Sequence, residues 1–341
     1  AEKFVHGAAE HPDAVVELLV FLVILLAGQR TLLFLFNTAF LAMLLVWGVE
    51  GTSGNKSWLH FPFLPFNIQP AEVCKITYII ILAKTMSLNR NRISSLRSVG
   101  TLTFHMLWIV ALIVVISHDT GVALIFMFLF VVMAYVGGVS GWWFLGGAGA
   151  VAAVSPYLWK YFIRDDQKQR ILALIDPSID PDGLGVLWQT NKSLEALRNG
   201  GLTGQGLFHG DLTSIGYLPA QHTDSIFSSI GEQLGMLGCL AALFLLLAIV
   251  LRCIQVGMKS PDYMNRLICI GIASMLLFQI LINVGVCLGL VPVIGLTLPF
   301  FSYGGSSLVT MFFAMGIVSG INMRPAPDSN ARYIRPPLSA A

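Results

Sequence analysis

Long apolar runs separated by short polar turns dominate the pattern of this chain. They fall near residues 14–27, 31–48, 70–87, 100–117, 120–138, 142–159, 226–251, 266–289 and 300–321. A helix needs roughly 20 apolar residues to cross a hydrocarbon core of about 30 Å, so these runs predict nine transmembrane helices, the first of them short. Barrel strands alternate polar and apolar residues, and these segments do not, which excludes a β-barrel. The predicted fold class is therefore all-α, a polytopic membrane protein. Residues 1–321 form a single transmembrane domain and 322–341 a cytoplasmic tail.

Two polar stretches break the pattern, 49–69 and the long 160–225, which carries eight of the eighteen acidic residues. Neither can lie exposed in lipid. Lys and Arg accumulate in short cytoplasmic loops. Arg90, Arg92 and Arg97 mark one such loop, Arg252, Lys259 and Arg266 a second, and Arg324, Arg332 and Arg335 the tail. Threading the spans through these anchors puts 49–69, 118–119 and 160–225 together on the outer side. It also puts Arg30 inside, and residues 1–13 outside unless a further helix lies upstream.

Composition agrees. Hydrophobic residues make up 56% and charged residues 11%, against roughly 25% charged in soluble domains. A net charge of +2 gives no electrostatic basis for a nucleic-acid partner. The five cysteines, Cys74, Cys239, Cys253, Cys269 and Cys287, form no CxxC or Cys/His cluster and read as packing residues. No histidine pair has zincin spacing, so no metal centre is predicted.

Candidate chemistry concentrates at the outer edge. The stretch 218–227 places His222, Thr223 and Asp224 where the apolar run 226–251 begins. A partly desolvated carboxylate there suits a general base; alternatively Asp224 or Thr223 simply caps the helix. Glu72 and Lys75, three apart at the start of another apolar run, suit an intrahelical ion pair or a functional site. Lys56 and Trp58 read as an interfacial anchor, and Asp119 as part of a tight outer turn. The segment Leu298 to Ser307, with Ser302, Tyr303, Gly304, Gly305 and Ser306, interrupts apolar sequence with small and polar residues, as at a cavity lining or a close helix contact. The glycines of 200–206 lack the Walker Lys-Ser/Thr ending, and a nucleotide site is not supported.

In order along the chain these segments resemble the SEDS family of bacterial peptidoglycan glycosyltransferases, whose members include RodA, FtsW and SpoVE. The family's GxxRWL-like stretch is similar to residues 54–59 and its FQPSExxKI to 68–76. Its PDLGTA is similar to 118–123. The QR, DP-x-x-DP and YQ elements are matched by Gln169-Arg170, Asp176-Pro177 with Asp180-Pro181, and Trp188-Gln189. GGLxGxGL is matched by 200–207, LPExHTDFIF by 218–227, and PFxSYGGSS by 299–307.

The resemblance implies a ten-helix enzyme with both termini cytoplasmic; a helix upstream of the given sequence would reconcile that number with nine. It implies polymerisation of lipid II on the outer face of the bacterial cytoplasmic membrane, within an elongation or division complex and beside a class B penicillin-binding protein. Asp224 takes the place of the family's essential aspartate. It would deprotonate the acceptor GlcNAc 4-hydroxyl, with undecaprenyl pyrophosphate as leaving group. Lys56, Lys75, Arg170 and Lys192 become candidates for stabilising the pyrophosphate. Trp58, Glu72, Asp119, Gln189, His222, Thr223 and residues 302–306 become candidates for substrate contact. No cofactor is required, and a divalent cation is left open. The sequence departs from the family at Ala220 (Glu), Ser225 (Phe), His118 (Pro) and Thr120 (Leu). These departures keep a catalytically weak scaffold in view, and a lipid II flippase is the other alternative.

Overall fold

The computed structural model describes residues 29–50, 56–61, 67–161 and 163–323. The expected helix over 14–27 and the expected tail, with Arg324, Arg332 and Arg335, lie outside the described residues. The architecture is mostly helical, as expected. Helix α1 is Arg30–Trp47, followed by a small antiparallel hairpin of β1 (Gly48–Glu50) and β2 (Lys56–Leu59). Helix α2, Pro70–Leu88, starts with proline in its first turn, where the missing N–H removes no helical bond. Helix α3, Leu96–Leu112, continues into a π-helical turn, Ile113–Ser117, and α4 is Thr120–Val136. Helix α5 is Gly141–Tyr161, and α6 (Asp165–Ile175) and α7 (Trp188–Gly200) lie within the polar stretch 160–225. Helices α8, Ile226–Lys259, α9, Tyr263–Cys287, and α10, Gly305–Met323, complete the chain.

Five described helices, α1, α3 with its π turn, α8, α9 and α10, are long and apolar enough to cross a membrane, and α4 is apolar but shorter. The predicted nine is not reached by that measure. Helix α2 carries Glu72, Lys75 and Lys84, and α5 is diluted by Gly, Ser and Pro156. The sequence-based boundaries also shift. Helix α8 runs on through Lys259, eight residues past the apolar run ending at 251, and α9 starts at Tyr263, so the intervening corner is only Ser260 to Asp262. The run 300–321 resolves into a tight turn followed by α10.

Helix α9 is central, buried along most of its length and packed against α8, α4 and α2. Side-chain caps mark three of the helix starts, those of α3, α4 and α9. Ser95 Oγ accepts from Ser98 N at 3.3 Å, Asp119 Oδ1 from Val122 N at 3.0 Å, and Asp262 from Met264 N and Asn265 N. Such caps satisfy backbone donors that have no helical partner. Within the apolar bundle, Thr77 donates to Asn37, joining α2 to α1, and Trp108 Nε1 donates to Thr38 Oγ1 at 3.0 Å, joining α3 to α1.

The glycine-rich 200–206 stretch has a mechanical role. Helix α8 breaks at Gly235, where φ is 69° and ψ −169°, a conformation available essentially to glycine. The loop fills the break. Gln205 N and Gly206 N donate to the carbonyls of Glu232 and Gln233, while Met236 N and Leu237 N donate to the carbonyls of Gly201 and Leu202, all at 2.9–3.2 Å. A Cβ on Gly204 or Gly235 would come within 2.2–2.4 Å of opposing backbone.

Candidate active site

Asp224 lies just before α8, and its side chain does not cap that helix. The N-cap is Ser225, with no side-chain capping bond, and Thr223 Oγ1 turns back to the carbonyl of Ala220 at 3.4 Å. The capping reading of Asp224 and Thr223 is therefore corrected. Among the described residues nothing donates a hydrogen bond to the Asp224 carboxylate, while the backbone around it is clamped on three sides. Asn283 Nδ2, from α9, donates to the Asp224 carbonyl at 3.0 Å and to that of Leu296 at 2.8 Å. Ser302 Oγ donates to the Thr223 carbonyl at 2.7 Å, and Tyr303 N to the His222 carbonyl at 2.7 Å. Ser302 is itself held by Leu298 N at 2.8 Å.

The loop from Leu288 to Leu298 gathers the remaining groups. Arg170, on α6, donates from Nη1 to the Val293 carbonyl at 3.0 Å. Gly121, two residues past Asp119, sits so close to Ile294 that a Cβ there would meet its carbonyl oxygen at 2.5 Å. A Cβ on Gly295, where φ is 76°, would be 3.8 Å from Asp224 Oδ2. One loop thus borders the carboxylate of Asp224 and the guanidinium of Arg170, and meets the chain two residues past Asp119.

Electrostatics follow from this placement. Burial, reinforced by the negative charge of Asp119 and opposed by Arg170, pushes the Asp224 carboxyl up to about 6. Burial also raises Asp119; its cap bond from Val122 opposes that rise, Glu72 adds to it and Lys75 counters it. Glu72 and Lys75 form a buried ion pair at 2.8 Å, with Lys75 fully closed from solvent and Glu72 Oε2 unpartnered. Enclosed in this way, Lys75 reaches the site only through its field, whereas Arg170 is exposed.

Other candidates stand apart from Asp224. Lys192 is engaged by Glu195 at 2.6 Å and lies 4.8 Å over the Tyr217 ring, and the bond to Glu195 raises its pKa. Exposed Lys56 and half-buried Trp58 belong to the hairpin, opposite Glu50 and Val49. Gln189 Nε2 reaches Ser225 Oγ at 3.4 Å, and Ser193 Oγ reaches it at 3.3 Å, so the departing Ser225 is absorbed by polar contacts with α7. Ala220 adopts a left-handed φ of 48°. Gly304 and Gly305 shape the start of α10, and Ser306 is buried with an unpartnered hydroxyl. Asp176 and Asp180 hold local turns by accepting from Ser178 N, and from Gly185 N and Leu187 N. Among the described residues no three of His, Cys, Asp and Glu converge as metal ligands.

Two contributors escape the sequence reading. Asn283 clamps the Asp224 backbone. Glu232, fully buried in α8, accepts from Leu212 N at 2.8 Å and Thr213 N at 2.9 Å, anchoring the turn that leads to 218–224. Their signal is a polar side chain inside an apolar helix, a position that demands a partner.

Comparison with known proteins gives a consistent picture. A family profile described as a cell cycle protein, of the FtsW, RodA and SpoVE type, matches residues 14–326. The chain is 35% identical over 289 residues to a probable peptidoglycan glycosyltransferase FtsW of Geobacter metallireducens, covering 83% of this chain and 75% of that one. It is 32% identical over 273 residues to the peptidoglycan glycosyltransferase MrdB of Escherichia coli, covering 80% and 72%. Among solved structures, a chain of a peptidoglycan synthase complex studied for its coordination of polymerization and crosslinking matches with TM-score 0.73 and 28% identity, covering 97% and 90%. Thermus thermophilus rod shape determining protein RodA matches with TM-score 0.60 and 26% identity, covering 91% and 85%.

Proposed function

Given that the chain belongs to the FtsW/RodA/SpoVE family of cell cycle proteins, we propose that it polymerises lipid II into glycan strands at the outer face of the cytoplasmic membrane, with Asp224 as general base. The observation that carries this reading is the Asp224 carboxylate itself: unpartnered, its backbone clamped by Asn283 and Ser302, and titrating at about 6. A base is most effective when its pKa lies near the working pH.

In the proposed step, Asp224 removes the proton from the acceptor GlcNAc 4-hydroxyl. The oxygen attacks the anomeric carbon of the donor, forming the glycosidic bond while the bond to undecaprenyl pyrophosphate breaks. The leaving group carries negative charge, best met by a cation already in position. Arg170 supplies it: one N–H is fixed on the Val293 carbonyl, and the rest of its fork has no partner among the described residues. Asp119 keeps Asp224 basic, and the Glu72–Lys75 pair sets the field around Asp119. A divalent cation at this site would be held by the Asp119 and Asp224 carboxylates as hard oxygen ligands. A class B penicillin-binding protein is the proposed crosslinking partner, supported by the likeness to the solved synthase complex.

The test is lipid II polymerisation by purified protein in liposomes, with and without a cognate class B partner. Glycan chains made by wild type and absent from a folded Asp224→Asn variant support the assignment. Polymer from both proteins overturns the role of Asp224, and polymer from neither, with the partner present, overturns the activity.

A further inference from the structure

The end of the bundle opposite Asp224 is formed by the last turn of α2, the first turn of α3, the α4–α5 connection and the α8–α9 corner. It carries exposed Arg90, Arg92, Arg97, Arg252, Lys259 and Arg266. Among the described residues its one acidic side chain is Asp262, whose two carboxylate oxygens accept from the N–H groups of Met264 and Asn265. The other described acids lie in the hairpin, the outer segment, and the outer ends of α2, α4 and α8.

Within this face one arginine is organised. The Arg90 guanidinium lies 4.8 Å over the Tyr263 ring centroid, and Tyr263 is fixed by donating its hydroxyl to the Gly137 carbonyl at 2.8 Å. Arg266, one turn along α9, lies within electrostatic reach of the same ring. The turn bearing Arg90 is braced from α5: Trp143 Nε1 donates to the Ser94 carbonyl at 3.0 Å and Ser140 N to Ser94 Oγ at 2.9 Å. A cation–π contact leaves guanidinium N–H groups for a further partner, and their planar fork is matched to the paired oxygens of a phosphate. Exposed Trp142 and Tyr135 beside this turn are residues that settle at the headgroup level of a bilayer.

We propose that Arg90 and Arg266, arranged around Tyr263, bind the phosphate of an anionic phospholipid headgroup in the leaflet at this end of the bundle. A general excess of positive charge accounts for Arg92, Arg97 and Arg252. It does not account for a guanidinium held on a tethered ring with no carboxylate partner among the described residues. An anionic membrane surface supplies the complementary charge, and the site sits where that surface meets the helix ends.

The test uses the full chain in nanodiscs of phosphatidylcholine with a small fraction of phosphatidylglycerol, read by native mass spectrometry of retained lipid. Wild type is expected to retain phosphatidylglycerol over phosphatidylcholine. The variant R90Q/R266Q should weaken that preference by about fivefold per arginine. Arg90→Lys, which keeps the charge and loses the planar fork, should weaken it by about threefold. The control R97Q/R252Q should lose less than R90Q/R266Q. Equal losses in the two double variants, or no loss in Arg90→Lys, overturn the site in favour of a diffuse positive face. Inorganic phosphate that displaces the lipid at low millimolar concentration overturns the lipid assignment in favour of a free-anion site.

Discussion

Ser302 Oγ donates to the carbonyl of Thr223 at 2.7 Å, so a residue of the 299–307 segment fixes the backbone immediately before Asp224. Ser302→Ala leaves a carbonyl short of its partner, a loss of about 1–3 kcal/mol. Polymerisation should fall roughly tenfold or more, mainly in kcat, while lipid II binding measured separately changes little. A fall confined to binding would place Ser302 in substrate contact instead.

Asp224→Asn removes the proposed base. Loss of general-base catalysis is typically 10²–10⁴-fold, and polymer yield is the readout. Stability should move the other way. The folded-state pKa of Asp224, about 6, is above the ordinary carboxylate value, so the native state holds the proton more tightly than the unfolded chain. Ionisation therefore costs stability progressively between pH 4 and 6, and the full cost applies above pH 6. Asparagine avoids it. Thermal unfolding at pH 7.5 should show the variant equal to or more stable than wild type, by at most about 3 kcal/mol.

The pH dependence of kcat/KM should show a limb near 6, with activity lost as the pH falls through it. Burial sets most of that value, and Asp119 adds to it. Asp119→Asn should move the limb to lower pH, and Arg170→Gln should move it higher. A limb unmoved by either variant would detach the titrating group from Asp224.

Glu72 and Lys75 are buried together. Removing one partner of such a pair strands a charge and typically costs about 3–5 kcal/mol. Lys75→Met should therefore destabilise strongly, and E72Q/K75M should recover much of the loss in thermal unfolding. Activity in the recovered double variant isolates the field of the pair from its packing role.

Helix α8 depends on the 200–206 loop at its break. Gly235→Ala places a Cβ about 2.4 Å from the backbone of that loop, at a φ of 69°. The collision requires backbone to move, so both thermal stability and polymerisation should fall. An alanine variant equal to wild type in both would remove the loop from the active-site framework.

The spans and the site were legible in the sequence to different depths. Apolar runs located the helices because lipid demands uninterrupted apolar surface, but their ends drifted. Arg252 and Lys259 suggest a loop by charge, yet both extend α8 as its exposed last turns. Helices α6 and α7 were hidden inside a segment read as loop, since each presents only a narrow apolar stripe in a polar stretch, Ala173 on α6 and Ala196 on α7 being among the few buried residues. Asp224 was legible by motif and position. Its clamp by Asn283 was not, because 59 residues separate the two and only the fold brings them together.

The break at Gly235 divides α8 into two mechanical units. The long part beyond the break packs along α9 within the bundle. The short outer part, anchored through Glu232 to the 212–213 turn and preceded directly by Asp224, answers to the loops above. With the register of the two parts carried by four backbone bonds to one loop, the position of Asp224 relative to the rest of α8 is set by residues 201–206, as a splint sets a fracture, and not by the helix's own ladder.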